Sequence, residues 1–261
     1  MSAEAGRFVL PPGYRLLHLP TVTSTSDIAR QRIIDNPVQG SSPHLVILAD
    51  RQTGGRGRDG RQWASPPGNL YATVLLRDTP VRADVPALSL GAAVAMGEAV
   101  ALHLPNPAVI RYKWPNDLLL DGAKFCGLLL ECGVDAAGRG WLAVGSGVNL
   151  RSHPAETAWP ATHLEAHGFR EGIAGLLAAY AARLDYWFDT WRRQGAGPLR
   201  DAWMASAAGL DGPMRARLAD GQVLEGLFRG LDATGALLLD TASGRRVIHA
   251  GDVFPAVQQE R

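Results

Sequence analysis

Residues 52–63 read Q-T-G-G-R-G-R-D-G-R-Q-W. Four glycines (Gly54, Gly55, Gly57, Gly60) and three arginines (Arg56, Arg58, Arg61) share this stretch, and Trp63 closes it. Glycine lets a backbone approach a ligand closely and take up positive φ. Arginine offers a planar fork of donors that fits carboxylate and phosphate oxygens. The combination suits a mobile cationic loop that encloses a small anion, with an exposed basic turn as the plainer reading. Residues 55–60 also satisfy G-x-G-x-x-G, and here the fold is decided. That fingerprint needs a helix opening at its third glycine. The chain instead continues into Ser65-Pro66-Pro67-Gly68, which cannot run as a helix. A dinucleotide-binding Rossmann unit is therefore excluded.

The loop lies between two expected strands, His44–Ala49 and Asn69–Leu76. Upstream, Tyr14–Leu19 reads as a strand. Thr21-Val-Thr-Ser-Thr-Ser26 then supplies hydroxyls that cap a helix over Asp27–Asp35, ended by Asn36-Pro37. Capping needs one hydroxyl, so others among Ser24, Thr25 and Ser26 are left for a polar ligand. Downstream, Pro86 opens an apolar helix to about Leu104. Val109–Tyr112 leads as a strand into Lys113-Trp-Pro-Asn-Asp117. Leu118–Leu120, the Asp121-Gly122 turn and Lys124–Cys132 form a hairpin. Trp141–Val148 is a further strand and ends in Gly145-Ser-Gly-Val-Asn149. Arg151–Gly168 reads as a loop with a short helical piece. Its His163, Glu165 and His167 lack the H-E-x-x-H arrangement and read as a solvated polar face. Leu176, Leu177, Tyr180, Leu184, Trp187, Phe188 and Trp191 form the core stripe of a long helix, Gly172–Arg193, with a last helix over Pro198–Ala208.

After Gly209 the texture changes. Asp220-Gly221, Thr234-Gly235 and Ser243-Gly244 separate short apolar runs at Arg215–Leu218, Val223–Phe228, Ala236–Leu239 and Arg246–Ile248. Short strands with tight turns predict a small β-barrel of the SH3 type. The expected units are thus residues 1–210 and 211–261. The 261 residues carry 26 Lys+Arg against 25 Asp+Glu, a balance that argues against a general nucleic-acid binder. Cys126 and Cys132 cannot bridge within one extended segment and read as reduced core residues of an intracellular, cytoplasmic protein. The first 13 residues show no secretory pattern, and no stretch reads as a membrane span.

Three polar clusters fall at strand ends: the glycine–arginine loop, Lys113–Asp117 with Lys124, and Gly145–Asn149. They offer cations, a carboxylate, amides and hydroxyls, with no Ser-His-Asp set and no Cys-His pair. Cations around an anionic substrate suit phosphoryl or nucleotidyl transfer, in which the protein positions reactants and stabilises charge.

G-R-G-R-D-G-R-Q-W at 55–63, K-W-P-N-D at 113–117, K-F-C-G-L-L-L-E at 124–131 and S-T-S at 24–26 resemble, in order, the motifs of the biotin–protein ligases. The resemblance covers roughly residues 14–150, and the small β unit matches that family's C-terminal domain. It implies an α+β fold: a class II synthetase-like catalytic domain with a mixed sheet and helices, followed by the SH3-like barrel. It implies adenylation of biotin by ATP with Mg²⁺, giving biotinyl-5′-AMP and pyrophosphate. Biotin then passes to one lysine of a biotin carboxyl carrier protein. By the same resemblance Ser24, Thr25, Ser26 and Gln52 bind biotin with the loop at Gly55, Arg56, Gly57 and Arg58, although Ser26 stands where other members carry asparagine. Trp63 packs on the apolar tail or the adenylate, and Arg61 helps to hold the loop over it. Lys124, Arg58 and Asp117 carry the chemistry. Asn116 and Asp117 orient the reacting groups and Mg²⁺, and Asn149 contacts adenine. Some members carry an N-terminal helix-turn-helix; the short lead before Ser24 predicts a form without that DNA-binding domain, as monomer or homodimer. The rival readings are a lipoate–protein ligase of the same fold, a nucleic-acid-binding module and a catalytically silent ligand binder. Trp114 reads either as part of the site or as core, and Glu131 as a structural partner.

Overall fold

The computed structural model describes residues 8–35, 44–157 and 159–255. Seven strands form the larger sheet: β1 (Tyr14–Val22), β2 (His44–Gln52), β3 (Leu70–Arg77), β4 (Ile110–Lys113), β5 (Asp117–Leu120), β6 (Ala123–Val134) and β7 (Gly140–Val148). Their order is β1-β2-β3-β7-β6-β5-β4. β1 and β2 run parallel and all other neighbours antiparallel. A parallel pair needs a crossover, and helix α1 (Thr25–Asp35) supplies it. β5 and β6 meet at Asp121 (φ 47°) and Gly122 (φ 79°), the two left-handed positions that an Asp-Gly hairpin turn requires.

Each face of this sheet is covered differently. α1 packs on one through Ala29 and Ile33, against Ile47, Leu75 and Ala143. The other carries helix α2 (Leu88–Ala101), with α3 (Ile173–Gln194) and α4 (Gly197–Met204) packed on it. α2 is apolar almost all round because it is sandwiched between the sheet and those two helices. The whole aromatic stripe of α3 is buried as its spacing predicts. No helix of the described residues is long and apolar enough to cross a membrane.

A second, antiparallel sheet follows: β8 (Pro213–Arg217), β9 (Val223–Leu231), β10 (Leu237–Thr241), β11 (Gly244–Ile248) and β12 (Asp252–Pro255), ordered β11-β10-β9-β8-β12. Its inward residues Met214, Phe228, Leu239 and Val253 belong to the same apolar core as α2 and α3. Trp114 fastens the junction: it is buried, and its indole N–H donates to the Gly235 carbonyl at 3.0 Å. The core reading of Trp114 is thus the correct one.

Several expectations need correction. α1 begins at Thr25, two residues before Asp27, because Ser24 takes the cap: its Oγ accepts from the Ser26 amide at 3.3 Å. Pro86 sits in a separate short turn (Val85–Ala87), and α2 runs only from Leu88 to Ala101. The last helix stops at Met204, since the Ala208 amide is drawn away to the Tyr112 carbonyl. Cys126 is core, but Cys132 is exposed, because β6 runs on past the helices that cover its middle. Four strands were legible in the small unit; the fifth, Asp252–Pro255, lacks a flanking turn pair. The helix stop at Asn36-Pro37 lies outside the described residues.

Candidate active site

The glycine–arginine stretch folds as a hairpin arm. Its base is tied by Trp63 N–H to Gly55 O at 2.9 Å, and Gly57 N–H to Arg61 O at 2.7 Å. Its tip is a turn with Asp59 (φ 54°) and Gly60 (φ 71°) both left-handed, so the D-G pair inside the motif sets its shape. No α-helix opens at Gly60, which agrees with the rejected dinucleotide reading.

This arm arches over the sheet face that α1 leaves open and encloses a cavity of about 600 Å³. Every residue predicted for the site lines that cavity except Gly55. Gly55 lies beneath, where a Cβ would meet Ser65 Oγ and the Trp63 carbonyl, each at 2.7 Å. The Trp63 ring lies flat on a glycine floor. A Cβ on Gly147 would stand 2.5 Å from its Nε1, and one on Gly127 would stand 2.9 Å from its Cζ3.

At one end the amide of Gln52 organises the hydroxyls. Its Oε1 accepts from Thr25 N–H (2.8 Å) and Thr25 Oγ1 (3.2 Å), and its Nε2 donates to Ser65 Oγ (3.1 Å). Thr73, in the middle of β3, donates to Thr25 Oγ1 at 2.8 Å and faces Ser26 Oγ at 3.4 Å. These groups are buried, so each needs a partner. Here they satisfy one another.

At the other end Asp117 bridges two ammoniums, Lys124 Nζ at 2.5 Å and Lys113 Nζ at 3.4 Å. Lys113 is 7 % exposed. Burial pushes its ammonium below the ordinary value; Asp117 opposes that shift and Lys124 adds to it. Two neighbouring aromatic rings face it, Trp159 at 4.6 Å and Phe254 at 5.8 Å, their centroids 6.3 Å apart. Lys124 also faces the Trp63 ring, at 5.3 Å. Asn116 donates to the Leu128 carbonyl, and Asn149 donates to the Thr162 carbonyl at 3.1 Å. Among the described lining residues six side chains are cationic and three are carboxylates, so the cavity is built for an anion.

The arm's arginines have separate anchors. Arg56 pairs with Asp27 on α1. Arg58 Nη1 donates to the Gly251 carbonyl at 3.2 Å. Arg61 reaches Asp59 at 3.3 Å and Asp252 on β12 at 2.9 Å. Arg61 is half exposed, and such a pair contributes under about 1 kcal/mol. The arm is therefore held shut weakly enough to open. Burial raises the Asp252 carboxyl, but Arg61, with Arg58 and Lys113, outweighs it and holds the group below its usual 3.8. The pair is therefore present above that value and lost as pH falls through the lowered folded value. Asp252→Asn is expected to show, already at pH 7, the lowered hydrogen-exchange protection factors of amides 55–62, relative to intrinsic rates at the same pH, that the parent shows only in acid. Unchanged exchange in the variant would refute the anchor.

Sequence reasoning missed Lys113 as a site residue, along with Thr73, Trp159, Arg217, Asp252 and Phe254. Lys113 stood inside a quoted motif; the others lie on distant strands and loops and carry no local signal. Glu131 pairs with Arg30, as expected of a structural partner. His163 contacts His153, Nδ1 to Nδ1 at 2.8 Å, and His167 contacts Thr162 and Asp121. No trio of His, Cys, Asp or Glu that could hold a metal ion occurs among the described residues.

The chain matches the model of the biotin/lipoate A/B protein ligase family over residues 20–133, and that of the biotin protein ligase C terminal domain over residues 213–254. It is 38 % identical over 224 residues to a biotin--[acetyl-CoA-carboxylase] ligase of Paracoccus denitrificans, covering 82 % of this chain and 92 % of that one. A ligase of the same name from Mycobacterium tuberculosis is 34 % identical over 220 residues, covering 80 % and 78 %. The solved biotin protein ligase from Aquifex aeolicus, in complex with biotin and ATP, is similar with a TM-score of 0.77 at 26 % identity, covering 92 % of this chain and 99 % of that one.

Proposed function

The chain belongs to the biotin/lipoate A/B protein ligase family, and from that premise we propose that it is a biotin--[acetyl-CoA-carboxylase] ligase that joins biotin to a carrier lysine at the expense of ATP. The observation that carries this reading is the convergence in one cavity of the Ser24–Thr25–Gln52 hydroxyl and amide set with the Lys124–Asp117–Lys113 cluster. We assign residues 1–210 to binding of biotin and ATP and residues 211–261 to a small unit that lends β12 to the cavity wall.

The biotin ureido ring exchanges hydrogen bonds with Ser24, Thr25 and Gln52, opening the network these residues make with each other. Thr73 holds Thr25 in place for that exchange, and Ser26 supports it from the next position. The valeryl chain runs along Trp63 and Leu129. Its carboxylate comes to Lys124, whose charge offsets the repulsion between carboxylate and α-phosphate as the new C–O–P bond forms and pyrophosphate leaves. Asp117 acts through the two lysines, fixing where Lys124 points. Asn116 sets the turn that carries this cluster, and Asn149 ties the adenine side of the cavity to residues 160–162. Arg56, Arg58 and Arg61 keep the arm, from Gly55 through Gly57 to its tip, over the adenylate. An acyl–phosphate anhydride is destroyed by water, so enclosure preserves it until the acceptor arrives.

Asp117, the carboxylate beside Lys124, is already bridged by two cations, so the residues present do not form a protein-held Mg²⁺ site. The ion enters with the nucleotide, as MgATP. The acceptor is a lysine of a biotin carboxyl carrier protein or domain.

The test is biotin-dependent release of pyrophosphate from MgATP, compared with lipoate and with no acid. Lipoate's dithiolane ring lacks ureido donors and acceptors, and so would leave the hydroxyl set unpaired. Release with biotin alone is expected; release with lipoate alone would overturn the reading of Ser24, Thr25 and Gln52. The glycine floor supplies a second check. Gly147→Ala should lift Trp63 and weaken biotin binding at least about tenfold, the cost of one lost or misplaced polar or packing contact. Titration calorimetry giving parental affinity would refute the stacking role of Trp63.

A further inference from the structure

His153 and His163 stand at the neck of a strap that walls the main cavity through Pro154, Glu156, Thr157, Trp159 and Ala161. Both ends of the strap are fixed. Asn69 holds Ser152: its Nδ2 donates to the Ser152 carbonyl at 3.0 Å, and its Oδ1 accepts from the Ser152 amide at 3.2 Å. At the far end Thr162 N–H donates to the Lys124 carbonyl at 2.9 Å, and the Thr162 carbonyl accepts from Asn149. The later half of the strap has ties of its own. Trp159 Nε1 donates to the Gly122 carbonyl at 2.9 Å, and Lys124 N–H donates to the Pro160 carbonyl at 2.7 Å. The earlier half depends on the histidines. Thr157 Oγ1 bonds only within the strap, to the Trp159 carbonyl. Among the described residues, the one hydrogen bond from residues 153–157 to the rest of the chain joins the His153 and His163 rings, Nδ1 to Nδ1 at 2.8 Å, with the rings stacked at 5.0 Å.

We propose that His153 and His163 are positioning residues for the nucleotide: they clasp the strap through one shared proton, and a second proton, added in acid, opens it and weakens MgATP binding. The inference rests on the ligase reading above. Two ring nitrogens at this distance need one donor and one acceptor. A second proton would set two N–H groups and two positive charges face to face, and the contact must break. The surroundings favour the single proton. Burial, and after it His153, hold the His163 ring below the usual 6.5. Glu165 opposes that shift and His167 adds to it. Glu165 is itself paired with Arg151 at 3.1 Å, and His167 with Asp121 at 3.3 Å. The clasp is therefore complete above the usual value and lost as pH falls through the lowered one. Lys124 and Asp117 lie on β6 and β5, outside the strap, so the effect belongs to KM for MgATP and not to kcat.

His153→Ala removes the clasp at every pH. His153→Asn keeps it at every pH, because an amide in place of the ring nitrogen donates to neutral His163 and accepts from the protonated ring. The readout is KM for MgATP in biotin-dependent pyrophosphate exchange, taken as the ratio of variant to parent at each pH, so that titration of the nucleotide and of Lys113 cancels. For His153→Ala the ratio is expected to be about five near pH ~8, the scale of one neutral hydrogen bond, and to fall to about one near pH ~5, with parental kcat. For His153→Asn it should be about one near pH ~8 and below one near pH ~5. A ratio for His153→Ala that does not change with pH would overturn the clasp, as would an asparagine variant that follows the alanine one. Histidine NMR without nucleotide reads the shared proton directly: His163 should titrate at lower pH in the parent than in His153→Ala. Identical titration in the two would also overturn the clasp, whatever the exchange assay gives. Absence of exchange in the parent, with that difference in titration present, would strike at the ligase reading and leave the clasp standing.

Discussion

Lys124→Ala is expected to reduce biotin-dependent pyrophosphate release by about 10³-fold, the scale of removing a charge aimed at the developing transition state. The fold should survive. Stripping a buried ion of every partner costs about 3–5 kcal/mol, but Asp117 keeps Lys113 at 3.4 Å. Lys124 itself is the most exposed of the three, at 26 %. Its backbone role is independent of the side chain: Lys124 N–H donates to Pro160 O and its carbonyl accepts from Thr162 N–H. The measurement is single-turnover formation of biotinyl-AMP alongside thermal unfolding. Near-parental formation from a folded variant would remove Lys124 from the chemistry. Lys124→Arg keeps the charge but spreads it over a planar fork, and should recover only part of the rate.

Arg58→Gly is expected to release biotinyl-AMP about 10–100-fold faster, the cost of one charge-assisted hydrogen bond together with a wall of the cavity. Arg58 Nη1 holds the Gly251 carbonyl at 3.2 Å, and the side chain lines the main cavity. Its loss removes one of the arm's two ties to the second sheet, leaving only Arg61 to Asp252 among the described contacts. Freed adenylate acylates any amine it meets, so bystander proteins should become biotinylated in proportion to their lysines while adenylation itself persists. The check is biotin blotting of an added non-carrier protein, with the dissociation rate of radiolabelled adenylate measured in parallel. Retention at the parental rate would refute the enclosing role. Arg56 and Arg61 should have smaller effects, since both are anchored through exposed ion pairs, to Asp27 and Asp252.

Much of this was legible in the chain because the signals are local. Strand alternation, the Asp121-Gly122 turn and the α3 stripe each specify structure within a few residues. Ser65-Pro66-Pro67-Gly68 was enough to dismiss a helix after the glycine loop. Residues called for the site fell into one cavity because motifs at three strand ends are gathered by the sheet. What escaped was of another kind. Thr73 looks like any polar residue on a strand until β3 places it under Thr25. Cys132 looks like its neighbour in the pattern, Cys126, until β6 outruns its cover. The earlier start of α1 turns on one hydrogen bond, from the Ser26 amide to Ser24 Oγ.

By itself, then, the sequence determined the alternation of elements, the two structural units, the glycine–arginine arm and the cationic, hydroxyl-bearing chemistry of the site, since each rests on residues close together in the chain. Only the tertiary structure decided that Lys113 is buried against Trp159 and Phe254 and that Arg58 and Arg61 close on Gly251 and Asp252. Arg58 and Gly251 are separated by 193 residues. Contacts at that distance are set by how the two sheets pack on one shared core, and no local pattern encodes that packing.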